Sequence, residues 1–321
     1  MNKKIVALLS MLVIVLTGCK SNSQESKPSD NTIISDPFIG DASNSGNLPM
    51  TTASFEIGII NKDAKLTNNT LQVPLMLKGD EWCEELGIKV YIDGILQEFS
   101  PDNSENYSYN NIMSVKTDDT DYLLKIKAKF DESIEPHTIS TVSIYNPEFA
   151  PKAGMSLGNN HQAAAGAFRT LPITYTELEY ADNTTIYQSQ APSPITKEQS
   201  EKYNLKGEYD EAFLLLQNDG GKTYALNENG TSVSLQFVAG TQAAGSEKYR
   251  VSFYKNHELT AFNGDYYYLD ISLEGGKISI TDIELSGVKE GDFLYCIAVP
   301  TASYNEFAFP KKTDTVVVVK S

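Results

Sequence analysis

Three features of the sequence predict an all-β chain of two tandem β-sandwich domains. Short runs such as Leu71-Gln-Val73-Pro-Leu75-Met-Leu77 alternate apolar and polar residues with period two, the mark of a half-buried strand. Gly, Asn and Asp turn signals separate these runs, and no long stretch keeps a helical period. The pattern also repeats at an offset of about 160 residues, as one supersecondary unit used twice would. With 321 residues, 40% hydrophobic and 21% charged, the chain can bury a core in each unit.

In the first copy, Phe55 to Ile60 reads as a strand and Asn61-Lys-Asp63 as a turn. The alternating run from Leu71 follows, with Pro74 placing it towards an edge or a bulge because proline donates no ladder hydrogen bond. Ile88 to Ile92, the turn Asp93-Gly94, and Ile95 to Phe99 form a hairpin, since Asp-Gly supplies the positive φ of a tight turn. A polar loop from Ser100 to Asp121 precedes strands at Tyr122 to Lys129 and Thr138 to Tyr145. In the second copy, Phe213 to Gln217 answers Phe55, and Val233, Leu235 and Phe237 answer Val73, Leu75 and Leu77. Tyr249-Arg-Val251-Ser-Phe253 answers Ile88-Lys-Val90-Tyr-Ile92, and Tyr304-Asn305 with Pro310-Lys311 answers Tyr145-Asn146 with Pro151-Lys152.

The N-terminus carries Lys3 and Lys4, a largely apolar run from Ile5 to Leu16, and Leu16-Thr17-Gly18-Cys19. The apolar run is too short for a span, which needs about 20 residues, and matches a signal-peptide core. The pattern resembles a bacterial lipoprotein signal with its lipobox. That resemblance implies cleavage after residue 18 and a diacylglycerol on Cys19. Residues 21–50 are rich in Ser, Asn, Asp, Gly and Pro and read as a flexible tether, with a reach of roughly 30 Å at ~5–6 Å × √n. The expected divisions are a signal peptide at 1–18, lipidated Cys19 and tether at 19–51, one sandwich at 52–180, a linker with a short helix at 181–206, and a second sandwich at 207–321. Thr196-Lys-Glu-Gln199 is a capping box and starts that helix.

Gly287-Val-Lys-Glu-Gly-Asp-Phe-Leu-Tyr-Cys296 is similar to the approach to strand F of immunoglobulin-like domains, so the sandwiches are expected to be Ig-like. The partner cysteine of that family is missing, and Leu294 stands where its corner tyrosine belongs. Cys296 and Cys83 are then either two packed thiols, the favoured reading, or a single disulfide. The copies differ at 153–166 and at 177–210, and insertions on a sandwich fall at loop ends, where binding surfaces gather.

Composition excludes some functions. The formal charge is −16, and loss of the signal with its two lysines makes the remainder two units more negative. Nucleic acid and electrostatic docking on anionic lipid both need basic surface. Gly154-Met-Ser156-Leu-Gly158 fits G-x-S-x-G with His161 nearby, but a nucleophile elbow sits between a strand and a helix over a parallel sheet, and Pro151 and Asn159-Asn160 flank this one among antiparallel strands. His137, His161 and His257 are scattered without zinc spacing. Asp118, Asp119 and Asp121 could gather oxygens for calcium but lack the Gly and closing Glu of an EF-hand, and read as solvated loop acids, as does Asp102-Asn-Ser-Glu-Asn106.

The remaining clue is aromatic. Trp82, Tyr107, Tyr109 and Tyr266-Tyr267-Tyr268 fall at or near expected loops, where rings serve either as recognition platforms or as core. The expected function is a non-catalytic, membrane-anchored binding module for an envelope protein or cell-wall glycan. No cofactor, no metal and no catalytic residue is assigned. A hydrolase using Ser156 and a structural spacer are the alternatives.

Overall fold

The computed structural model describes residues 55–59, 65–81, 83–101, 104–152, 164–171, 178–181, 186–203, 213–217, 224–227, 230–241, 246–302 and 309–320. All of them belong to one unit. The leader, Cys19 and the tether, together with Trp82, Asp102, Ser156, His161 and Tyr304-Asn305, lie outside the described residues.

The first half contains β1 (Phe55–Ile59), β2 (Lys65–Thr67), β3 (Thr70–Gly79), β4 (Glu85–Ile92), β5 (Ile95–Leu96), β6 (Phe99–Pro101), β7 (Asn111–Ser114), β8 (Thr120–Lys127), β9 (Thr138–Tyr145) and β10 (Ala164–Thr170). The second contains β11 (Ile186–Gln188), β12 (Ser193–Pro194), α1 (Lys197–Lys202), β13 (Phe213–Gln217), β14 (Tyr224–Ala225), β15 (Ser232–Thr241), β16 (Ser246–Lys255) and β17 (Glu258–Leu259). It continues with β18 (Tyr268–Glu274), β19 (Lys277–Ser286), β20 (Phe293–Ala302), β21 (Lys311–Lys312) and β22 (Val316–Val319). The chain is an all-β sandwich fold of several, mainly antiparallel, sheets.

Four sheets stack as layers. Sheet 1 has the order β1-β3-β8-β6 with β2 on β3, and sheet 2 has β10-β9-β4-β5 with β7 on β4. Sheet 3 has β11-β18-β16-β20-β22-β14, and sheet 4 has β12-β19-β15-β13. Leu71, Val73, Leu75 and Leu77 meet Leu86, Ile88, Val90 and Ile92 in a first apolar layer between sheets 1 and 2. Val233, Leu235 and Phe237 meet Val251, Phe253 and Leu269 in the equivalent layer between sheets 3 and 4. The pairing also recurs: β1-β3-β8 corresponds to β13-β15-β19, and β7-β4-β9 to β18-β16-β20.

Between sheets 2 and 3 lies a further apolar layer that alternation did not announce. Tyr91, Val142 and Ile144 of sheet 2 pack on Tyr254, Tyr295, Ile297 and Val299 of sheet 3. β9 and β20 therefore have both faces covered, and the run Phe293-Leu-Tyr-Cys-Ile-Ala-Val299 is continuously apolar for that reason. On the far face of sheet 4, Tyr203 after α1 covers Val238 and Ile278.

Several details differ from the sequence expectations. Residues 100–121 hold β7, whose polar composition hid a strand with only Met113 turned inward. β3 is central, yet Pro74 is tolerated because β2 partners Thr70–Gln72 and β1 partners Leu75–Gly79, leaving no described strand to receive a donor at Pro74 on that side. The expected linker is integrated instead: β11 pairs with β18 and β12 with β19. Its helix does form on the capping box, with Thr196 Oγ1 accepting from Gln199 N and the Gln199 side chain accepting from Thr196 N. β10 begins inside the expected insertion, and its small residues follow from close packing, since a Cβ on Gly166 would come within 2.6 Å of Pro310.

Candidate functional site

The two halves are locked by polar groups at the ends of the middle layer. Asp93 and Gly94 have φ of 52° and 79°, and Asn256 and His257 have φ of 51° and 69°, so both hairpins use left-handed turn residues. Each turn reaches into the opposite half. Arg250 on β16 is 2% exposed. Its Nη1 donates to Asp93 O at 3.0 Å and to Asp131 Oδ2 at 2.8 Å. Its Nε and Nη2 grip Asp270 at 2.6 and 2.9 Å. A Cβ on Gly94 would sit 2.6 Å from the Arg250 Cβ, so this turn has no room for a side chain. Asp93 in turn accepts from Thr138 N at 2.7 Å and from Asp131 N at 3.1 Å, and its Oδ2 lies 2.7 Å from His137 Nδ1. Burial pushes the Asp131 carboxyl up, but hydrogen bonds from Ser133 and Arg250 outweigh it and hold the group below its ordinary value.

From the other side, Lys89 Nζ donates to His257 O at 2.9 Å and to Asn110 Oδ1, and lies 4.4 Å from the Tyr254 ring centroid. Tyr254 stacks on Tyr295 at 5.1 Å, and Lys312 Nζ lies 4.6 Å from the Tyr295 centroid. Burial takes Lys89 down to about 7 and Lys312 to about 8. His257 falls to about 4, through burial first and then the Lys89 and Lys312 charges.

A surface groove opens beside this seam, with a volume of about 340 Å³, at the small end of the ~300–1,000 Å³ usual for ligand sites. The β2–β3 hairpin supplies Asn68 and Asn69, whose φ of 49° and 58° place both exposed amides at the rim. The β5–β6 segment supplies Glu98, β8 and its end supply Lys127 and Lys129, and Glu179 closes the far side. Leu96, which lines the floor, is tied to the second half by its N–H, which donates to Tyr268 Oη at 3.1 Å. Tyr109 stands on the wall with 48% of its surface exposed. Burial, with the Glu98 charge, raises its hydroxyl above the ordinary value.

The charges in the groove are matched. Lys127 Nζ donates to Glu98 Oε2 at 2.8 Å and lies 4.5 Å from the Tyr107 centroid, while Lys129 lies 3.8 Å from Glu179 Oε1. Asn69 Nδ2 donates to Glu179 Oε2 at 3.2 Å. The Asn68 amide makes no side-chain hydrogen bond among the described residues.

Of the residues singled out from sequence, Tyr109 lines this groove, and Tyr107 meets it only through Lys127. Tyr266 and Tyr268 turn inward, and Tyr267 between them is exposed. Asp118, Asp119 and Asp121 are exposed, and Asp119 pairs with Lys78 at 3.6 Å. Among the described residues no group of three or more His, Cys, Asp or Glu is placed to hold a metal ion. Cys83 and Cys296 are buried free thiols in different apolar layers, and the Cys296 N–H donates to Thr313 Oγ1 at 3.0 Å. Sequence reasoning passed over Asn68, Asn69, Glu98, Lys127, Lys129 and Glu179. Thr67-Asn-Asn-Thr70 was legible as a two-residue hairpin turn, whereas the others meet only through tertiary pairing.

No family model matches the chain, and no curated protein does. Among solved structures, it is similar to red sea bream transglutaminase at 11% identity and a TM-score of 0.23, over 85% of this chain and 32% of that one. It is similar to trypsin-activated alpha-2-macroglobulin from Escherichia coli at 9% identity and a TM-score of 0.26, over 83% and 18%. A biofilm-associated protein BSP domain aligns at 10% identity and a TM-score of 0.19, over 87% and 68%. The chain thus spans about a third or less of the first two.

Proposed function

We propose that this chain is a lipid-anchored extracytoplasmic lipoprotein whose two Ig-like sandwiches form a non-catalytic binding module, engaging an envelope protein or cell-wall glycan at the groove beside Tyr109. The observation that carries the reading is the groove itself: a half-exposed tyrosine ring set among exposed amides and matched charges, on loops held by a rigid four-layer stack. Membrane attachment rests on Lys3, Lys4, the apolar run and Cys19. The Ig-like reading is supported by the recurring strand order, in which β20, the strand that carries Cys296, runs between β16 and β22. The non-catalytic reading is supported by the flanking strands: β9 and β10, the described strands that precede and follow Ser156 in sequence, are antiparallel neighbours, whereas a nucleophile elbow joins a strand of a parallel sheet to a helix. The test is an envelope pull-down with the anchored protein, comparing wild type with Tyr109→Ala. Loss of the captured component in the variant supports the groove as the recognition site, and equal capture of nothing removes the binding reading.

A further inference from the structure

The groove's charge pattern identifies a class of ligand. Resting on the binding-module reading, we propose that it takes an uncharged oligosaccharide, with one sugar ring laid on the Tyr109 face and its hydroxyls bonded by Asn68, Asn69 and the Glu98–Lys127 and Glu179–Lys129 pairs.

Four observations converge on it. First, the protein carries −16 overall, yet the groove holds two lysines against two glutamates, each pair within ion-pair distance. A site for an anionic polymer would show unmatched cations, and a site for a basic peptide unmatched carboxylates; this one offers neither. Second, the lining is largely polar, with Leu96 as its aliphatic member, which suits a hydroxyl-rich ligand better than an apolar one. Matched carboxylate and ammonium groups present acceptors and donors side by side, the complement of vicinal hydroxyls.

Third, Tyr109 is one of four exposed large hydrophobic side chains among the described residues. An aromatic face, negative at its centre, attracts the slightly positive C–H groups on one side of a pyranose while leaving the hydroxyls free for side-chain hydrogen bonds. Fourth, the Asn68 amide is exposed on a left-handed turn and makes no side-chain hydrogen bond among the described residues, so its donor and acceptor are both open to a ligand.

The test uses the full chain on an array presenting uncharged oligosaccharides (tetramers of glucose and of N-acetylglucosamine), anionic ones and amino sugars. Retention of one or more uncharged tetramers is expected, little changed between 0.05 and about 0.5 M salt because no net charge is neutralised. Tyr109→Ala should weaken it about tenfold or more, Tyr109→Phe should keep most of it, and Asn68→Ala should weaken it several-fold, all with unchanged melting temperature. No retention of any uncharged glycan, preference for anionic glycans that collapses with salt, or unaltered binding by Tyr109→Ala overturns the assignment. The two levels separate cleanly. If the array is blank but wild type captures an envelope protein that Tyr109→Ala does not, the glycan fails while the binding module stands. If both are blank, both fail.

Discussion

The hydroxyls of Tyr91 and Tyr254 lie 2.6 Å apart in the buried middle layer, and the two residues are 163 positions apart in sequence. Each sits on the central strand of its half and faces the corresponding hairpin partner, Leu96 for Tyr91 and Leu259 for Tyr254. By hairpin register, which shifts the match of Tyr249–Phe253 to Ile88–Ile92 read from sequence by two residues, these are equivalent side chains, and they meet each other as across an isologous interface. Burial holds both hydroxyls protonated well above their ordinary range. Tyr91→Phe and Tyr254→Phe are each expected to cost about 1–2 kcal/mol, and the double variant less than the sum, because removing both leaves neither hydroxyl facing a ring edge and Ser252 Oγ keeps Ile297 O. Urea denaturation of the four proteins measures the coupling, and strict additivity would contradict it.

Arg250 ties three carboxylate-bearing segments together, so its loss should be severe. Arg250→Met removes the guanidinium that donates to the buried Asp131 Oδ2 and to the Asp93 carbonyl and balances the Asp131 charge, at an expected cost of about 3–5 kcal/mol. Arg250→Lys should rescue little, since one ammonium cannot reproduce the fork that spans Asp131 and Asp270. Shifts in urea midpoint at constant slope test both.

The seam also sets a pH dependence. His257 has a folded pKa of about 4 against an ordinary 6.5, so between those values the unfolded chain binds more protons and stability falls as pH drops from about 6.5 towards 4. Asp131, depressed below 3.8, adds stability that is present above that value and lost on further acidification. Lys89, lowered from 10.5 to about 7, acts on the alkaline side: the unfolded chain again binds more protons, and stability rises with pH from about 7 towards 10.5. Lys89→Met should make that upper limb shallower, with Lys312 keeping its own share, and should weaken the acid limb in part, because His257 loses one of the charges that lower it. Melting temperatures across pH 4 to 10 would show both.

Fragment boundaries give another test. Residues 207–321 alone lack β11, β12 and the cover that Tyr203 places on Val238 and Ile278, whereas 182–321 retains them. The longer piece should melt higher. Both should expose Tyr254, Tyr295, Ile297 and Val299 and bind ANS more strongly than the whole chain. Equal melting of the two fragments would refute the integrated linker.

Thr281 Oγ1 and Ser279 Oγ are buried without a hydrogen-bond partner among the described residues, and both lie on β19 opposite apolar residues of β15, Phe237 and Ala239. Thr281→Val should leave stability unchanged or raise it by up to about 1 kcal/mol, because a hydroxyl lacking a partner is replaced by a methyl of the same shape. A loss of more than that, measured by urea, would reveal a partner.

How much of this was legible depends on which layer a residue serves. β3 and β15 face the layer within their own half with one side, so alternation at Val73 to Leu77 and Val233 to Phe237 announced them. Asp93-Gly94 announced its hairpin through the positive φ it supplies, while Asn256-His257 takes the same turn with no glycine to mark it. The middle layer left a fainter trace. Its signs were the unbroken apolar run at Phe293 to Val299 and the tyrosines at 91 and 254, which a reading limited to two separate sandwiches assigns to the surface. In the groove, Tyr109 drew notice as an aromatic near a loop. Glu98 with Lys127, and Glu179 with Lys129, are brought together by sheet register and by the bridge of Phe130 with Tyr180, which no local pattern encodes.

β9 and β20, each covered on both faces, carry a last consequence, for hydrogen exchange. An amide in β3 or β15 can reach deuterium when one outer sheet lifts, but those of β9 and β20 lie next to the layer that joins the halves. Their exchange waits on separation of sheet 2 from sheet 3. The slowest amides of the two copies should therefore share one opening free energy and respond together to Arg250→Met, although they belong to different sandwiches.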